Sequence, residues 1–304
     1  MPVIEVQDLH KAYGEVHAVD GVSFDVETGE VFGMLGPNGA GKTTTVEILE
    51  GLRARDRGTV RVLGLDPRTE EKALKRRIGV QLQHVSLYPD LRVTEVLELF
   101  ASFYGVSGVT NRLLELLDLG ERRNARVKQL SGGQQQRLSV ALAVVHDPEL
   151  VFLDEPTTGM DPAARRSLWD IVERFRSEGR TVLLTTHYME EAERLCDRVA
   201  VMDHGHIIAI DAPRRLVRHH FAEDAIEFAL TSRISIEDLQ KLPRVSSAAA
   251  EDDRFVVFSG HIAATMGSLL DLARTSDAPV DDLRVRHATL EDVFLKLTGR
   301  MLRD

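Results

Sequence analysis

The feature that most restricts this chain is a loop, GPNGAGKT, running from Gly36 to Thr43 between the apolar run VFGML and the helical run TTTVEILEGL. It satisfies G-x-x-x-x-G-K-[ST] at each fixed position, and its flanks supply the strand before and the helix after that such a loop requires. The glycines allow backbone N–H groups to turn inward around phosphate oxygens, and the helix starting near Lys42 aims its positive end at the same anion. Gly36, Pro37, Asn38, Gly39, Ala40, Gly41 and Thr44 are therefore candidate phosphate contacts. Lys42 would neutralise the β and γ phosphates as a compact charge, and Thr43 would offer its hydroxyl to Mg²⁺.

A second restriction comes from LVFLDEP, where a continuous apolar run ends in Asp154 and Glu155. Such a run reads as a buried strand, and α/β folds bind ligands at strand carboxyl ends. Asp154 is expected near the metal. Glu155, one residue on, is placed to polarise water attacking the γ phosphate, a step that needs a positioned base or orienting group. Together the two motifs define a P-loop NTPase, a class that spans kinases, GTPases, helicases and motors.

A third string narrows the class. LSGGQQQR, Leu130 to Arg137, stands before the helix that leads into LVFLDEP and closely resembles the ABC-family signature, in the family's usual order. Taken as residues, Ser131, Gly132 and Gly133, with Gln134 behind them, are a second helix start with a capping hydroxyl and open amides. One nucleotide cannot use both helix starts of one chain. The resemblance implies that the signature of one subunit closes on the ATP held by the other, giving two composite sites in a head-to-tail homodimer. It also implies that Tyr13, in KAYG, stacks on adenine, and that Gln83 touches Mg²⁺ or water and moves with transport. Gln81 competes for that glutamine role; Gln83 is preferred because the change of pattern follows it directly. By the same resemblance Asp161, in TTGMDP, lies on a loop crossing the dimer interface, although Met160 stands where leucine is commoner. His187, closing TVLLTTH, would contact the γ phosphate. The matches run from about Val3 to Ile210 with no motif missing. A competent ATPase is expected, with ATP and Mg²⁺ as cofactors and Lys42, Gln83, Glu155 and His187 as its catalytic groups.

Around these motifs the pattern is regular. Residues Val3 to Val31 read as an antiparallel β start with turns at Tyr13-Gly14 and Thr28-Gly29. RGTVRVLG, the charged helix TEEKALKRR and the strand IGVQLQ follow, then mainly helices from His84 to Gln129, the helix QQQRLSVALAVVHD, and the strands LVFLDEP and RTVLLTTH. The stretch MEEAERLCDRVAVM reads as helix-like, with Cys196 a buried small apolar residue. The expected fold class is α/β: a P-loop NTPase core with an antiparallel β subdomain and a helical insertion of about residues 84–145, all within an ATP-binding domain of residues 1–220. From about Phe221, β runs alternate with helical segments, giving a small C-terminal α+β domain of residues 221–304. The basic stretch PRRLVRHHF at the boundary reads as a solvated face or helix end.

Composition bears on partners. A formal net charge of −10 argues against a broad nucleic-acid or anionic-lipid surface, because phosphate backbones reward clustered Lys and Arg. One cysteine excludes an intrachain disulfide and suits a reducing compartment. No stretch approaches the ~20 apolar residues of a spanning helix, and the N-terminus lacks a basic segment followed by an apolar run. The chain is thus expected to be soluble by itself, cytoplasmic, and peripheral on the inner face of the membrane through a partner. The tail HATLEDVFLKLTGR reads as an amphipathic closing helix. It is also similar to the end of bacterial multidrug and antibiotic-resistance exporter ATPases of the daunorubicin-resistance type. That similarity implies export of a drug, antibiotic or lipid-like substrate through a separate permease. The other reading, a soluble ABC ATPase acting on ribosomes or DNA, is disfavoured by a single set of motifs, no long heptad insert and the acidity. The C-terminal segment resembles no ligand or metal site, so bracing of the dimer is its expected role.

Overall fold

A computed structural model describes residues 2–82, 87–221, 223–229, 234–251, 253–278 and 280–298. The chain divides into a first unit of residues 1–213 and a second unit that begins at Arg214.

In the first unit, alternating buried and exposed residues build the hairpin β1 (Pro2–Tyr13) and β2 (Val16–Glu27), closed where Tyr13 pairs with Val16. The next strand, β3 (Val31–Leu35), is buried at every position and belongs to a different sheet. Helix α1 (Lys42–Leu49) follows the glycine loop, and β4 (Arg57–Val62) returns to pair antiparallel with β1, completing a three-stranded sheet β2-β1-β4. The charged run TEEKALKRR yields only the four-residue helix α2 (Glu71–Leu74) before β5 (Ile78–Gln81). The insertion supplies α3 (Val93–Phe103), α4 (Thr110–Leu116) and two short 3₁₀ turns. It leads into α5 (Gly132–Ala143) and the fully buried β6 (Leu150–Asp154).

After α6 (Pro162–Ser177), β7 (Thr181–Thr186) is again buried throughout. The helix-like run near Cys196 is a correction: α7 (Met189–Leu195) stops there, and the residues that follow form β8 (Arg198–Asp203), then β9 (His206–Asp211). Asp197 forces the change. Its backbone N–H donates to Val31 O at 2.8 Å and its carboxylate accepts from Val31 N–H at 3.0 Å, which draws the chain into register with β3. Cys196 itself is buried. The main sheet has the order β5-β6-β7-β3-β8-β9, parallel except for β9, and its central strands read as continuous apolar runs because both faces are buried, with Phe32, Met34, Phe152 and Leu183 packed in one core with Ile4, Phe24 and Val60 of the three-stranded sheet.

The second unit opens with α8 (Pro213–His220), the basic stretch, here a helix. Its body is β10 (Asp224–Ala229), α9 (Ile236–Gln240), β11 (Val245–Glu251), β12 (Arg254–Ser259), α10 (Ile262–Thr275) and β13 (Arg284–Arg286). The all-antiparallel order β11-β12-β10-β13 makes this a βαββαβ, or split βαβ, arrangement. Strand β11 is not legible in VSSAAAE, whose Ser and Ala carry little strand propensity; pairing with β12 decides it. Ile226, Phe228, Val257 and Leu269 form this unit's own core, and α11 (Leu290–Thr298) buries Leu290, Val293 and Phe294.

Candidate active site

Strand register brings the sequence motifs together. In the main sheet β3 lies between β7 and β8, with Leu35 opposite Thr186, while β6 flanks β7 with Asp154 opposite Thr185. Gly36, Glu155 and His187, the residues that follow these strand ends, therefore leave the sheet along one edge, where a doubly wound fold offers its ligand crevice.

The glycine loop is braced from behind. Gly41, with φ of +102°, caps α1, and a Cβ there would lie 2.3 Å from Ala18 O, so only glycine fits. The turn after β8 supports the same loop through Gly205 N–H, which donates to Ala40 O at 3.0 Å. Lys42 is buried, and its Nζ donates to Gly36 O at 2.7 Å and Pro37 O at 3.1 Å while lying 3.7 Å from Glu155 Oε1. Burial pushes the Lys42 pKa down, opposed by the charges of Glu155 and Asp154. Thr43 stands exposed in the first turn of α1.

One hydroxyl fixes both acids. Thr185 Oγ1 donates to Asp154 Oδ1 at 2.5 Å and accepts the backbone N–H of Glu155 at 2.9 Å. Glu155 sits at φ +45°, a left-handed conformation that a glutamate holds only against local strain. Its Oε2 accepts from Thr158 Oγ1 at 3.2 Å and lies 3.4 Å from His187 Nδ1. The two acids then part company electrostatically. Hydrogen bonding from His187, above all, and the Lys42 charge hold the Glu155 pKa down at about 2 against burial. Burial raises that of Asp154, despite the Thr185 bond. A carboxylate that stays ionised beside a histidine, with an ammonium on its other oxygen, is a group able to orient and accept a proton from water.

Tyr13 ends β1 as an exposed residue, and Lys11 and Arg53 place cationic groups 5.5 and 5.2 Å from its ring centroid. Ser131 caps α5: its Oγ accepts from Gln134 N–H at 3.3 Å and its N–H donates to Gln134 Oε1 at 3.1 Å, a capping box. Gly133 packs closely enough on α6 that a Cβ would lie 2.9 Å from Ala164 Cβ. Asp161 caps α6 through bonds from Ala163 and Ala164 N–H, both 2.9 Å. Among the described residues, no hydrogen bond or ion pair joins residues 131–134 or Asp161 to residues 36–44. Gln83 lies outside the described residues. Gln81 is buried at the end of β5 and donates to Leu82 O at 2.6 Å.

Comparison with known proteins accords with this geometry. The family described as ABC transporter matches residues 19–158. Over 100% of the chain and 96% of its own length, the Nod factor export ATP-binding protein I of Ralstonia nicotianae is 39% identical. That of Paraburkholderia xenovorans is 41% identical over 99% and 98%. The chain belongs to the ABC transporter ATP-binding family. Among solved structures, an ATP-binding subunit of an ABC transporter superposes with a TM-score of 0.65 at 29% identity, covering 72% of this chain and 93% of its own. A dimeric ATP-binding cassette in a post-hydrolysis state bound to ADP and Pi superposes at 0.63 with 25% identity, covering 69% and 98%.

As an ABC ATPase the chain binds and hydrolyses nucleotide, and its site includes residues the sequence reading passed over. Thr185 looks like filler in an apolar strand, yet a hydroxyl in the run TVLLTT needs a partner once buried. Thr158 and Gly205 gave no signal, since their partners are found only through the fold.

Proposed function

We propose that this ABC ATPase energises export of a drug-like, antibiotic or lipid-like substrate through a separate membrane permease, working at the inner face of the membrane as a head-to-tail homodimer. The observation that carries the catalytic part is the meeting of Lys42, Glu155 and His187 at the carboxyl ends of β3, β6 and β7. Lys42 and the loop amides bind the β and γ phosphates. Glu155 orients the attacking water and takes its proton as the γ phosphoryl group transfers in line, and His187 holds that carboxylate and meets the γ phosphate. Gln83 would complete the group, and Tyr13 would stack on the adenine. Oxygen donors, the Thr43 hydroxyl and the Asp154 carboxylate, suit a hard divalent ion. No cluster of three or more His, Cys, Asp or Glu that could hold a metal exists among the described residues, so Mg²⁺ would be shared with nucleotide and water. When bound, it neutralises charge on the β and γ oxygens.

The head-to-tail pairing is supported by the second helix start: among the described residues, no hydrogen bond or ion pair ties residues 131–134 or Asp161 to the Lys42 loop of their own chain. Nucleic acid is not expected as a partner of so acidic a chain. No helix among the described residues is long and apolar enough to cross a membrane, so a transport role needs a partner that does. For that partner the first unit offers a cavity of about 320 Å³, lined by Leu52 and Leu82 of the core and by Phe100 and Tyr104 of the insertion, with exposed apolar side chains at its mouth. Export is supported by the full-length relatives named for it. The test is capture of the Glu155→Gln protein from detergent-solubilised membranes with MgATP. The variant should lose at least ~100-fold in ATP turnover while bringing down a polytopic permease; ribosomal or DNA-bound partners without a permease would overturn the reading.

A further inference from the structure

Away from the nucleotide loop, a carboxylate is buried where the proposed mechanism makes no use of it. Glu191 of α7 is 0% exposed. Its Oε1 accepts the indole N–H of Trp169 in α6 at 3.0 Å. Its Oε2 is buried without a hydrogen-bond partner of normal length, as are Thr157 Oγ1 and Arg165 Nε. These atoms belong to three elements that converge here: the loop after β6, the first turn of α6, and α7. Burial raises the Glu191 pKa, opposed by the Thr186 hydroxyl, the Trp169 indole, the Thr157 hydroxyl and the charge of Arg165. The Arg165 guanidinium lies 4.2 Å from the centroid of the Tyr188 ring, and Thr186 Oγ1 accepts Tyr188 N–H at 2.9 Å.

Placement gives this cluster its meaning. Thr186 is the residue before His187, and Thr157 lies on the same loop as Glu155, Thr158 and Asp161. A buried carboxylate with one oxygen matched and one in reserve is costly in a single fixed structure and well suited to two. Movement of the 157–161 loop that brings the Thr157 hydroxyl onto Oε2 would satisfy two unmatched atoms at once. It would also register, through Thr186, at the strand end that carries His187. We propose that Glu191 is a positioning residue that couples the loop bearing Glu155 and Asp161 to the strand end bearing His187. The inference rests on the catalytic reading of Glu155 and His187 given above.

The chain contains one tryptophan, Trp169, and its indole N–H is bonded to this carboxylate, so its emission reports on the cluster directly. Titration of the full-length protein with MgATP should shift Trp169 emission along the binding isotherm, and Glu191→Gln should suppress the shift. The same variant should keep its ATP affinity within about twofold while kcat falls by roughly tenfold or more, the pattern of a lost transition-state arrangement and not of lost binding. Thr157→Val should lower kcat in the same direction, and carries the test alone if Glu191→Gln does not fold. Emission unmoved by saturating ATP, or parental kcat in folded Glu191→Gln or Thr157→Val, overturns the proposal. Glu155→Gln is measured alongside: if it turns over at the parental rate, the catalytic reading fails and takes this inference with it. If it is inactive while Glu191→Gln is not, only the coupling fails.

Discussion

Single residues in this ATPase show two opposite treatments of a carboxylate. Glu155 is kept charged by His187 and Lys42, whereas Glu50, at the end of α1, is buried with Oε1 unmatched and its pKa pushed up to about 8 by burial and by the charges of Asp154 and Glu47. The consequence for stability has a definite sign. An acid whose pKa is higher folded than unfolded contributes fully below its unfolded value, near 4.5, and loses that contribution as pH rises through 8. Glu50→Gln, which cannot ionise, should therefore gain on the parent between pH 5 and 8.5, by a few kcal/mol at most on an order-of-magnitude basis. Thermal melts of both proteins across that range check it; parallel curves would show that Glu50 does not titrate as described. At this scale the contiguous motifs were readable because a phosphate loop and an acidic strand end are written in adjacent letters. Thr185 was not, because its partner Asp154 is 31 residues away and only strand register joins them.

At the scale of elements, a segment is legible where its own residues dictate its state and illegible where pairing does. The strand-loop-helix at β3 and α1 and the buried runs β6 and β7 follow from local pattern. Strand β8 is hidden behind a helical run because the Asp197 bonds to Val31 and the pairing with β3 and β9 decide it, and α2 is a single turn. Helix α5 poses the sharper question, since its capping box already explains Ser131 and Gln134. Ser131→Ala should cost about 1 kcal/mol through the cap alone. A role in a partner's site is separated from the cap by mixing two inactive proteins, Lys42→Ala and Ser131→Arg. In a head-to-tail dimer of one with the other, one site holds both substitutions and the second holds neither, so ATPase activity should reappear on mixing. If each chain used its own Ser131, both sites of the mixed dimer would stay impaired and nothing would be regained.

The whole molecule joins two units with separate cores, one built on residues such as Ile4, Phe32, Phe152 and Leu183, the other on Ile226, Phe228, Val257 and Leu269. Each candidate site residue within the described segments belongs to the first. Solved cassettes cover about seven-tenths of this chain and nearly all of themselves, while the export ATP-binding relatives match almost all of it. Two cores of this kind should not melt as one two-state system. Calorimetry should resolve two transitions, and MgATP should raise the one belonging to the first unit. At a hundredfold excess over Kd the gain is about 2.7 kcal/mol, or roughly 5–10 °C for a domain of this size. A chain ending at Pro213 should keep that transition and its response to ATP while losing the other. Bracing of the dimer adds a second signature. With ATP and Glu155→Gln holding two chains together, the transition of the second unit should rise too, and should do so with protein concentration, because a contact between copies gains strength by mass action and a freely tethered unit does not.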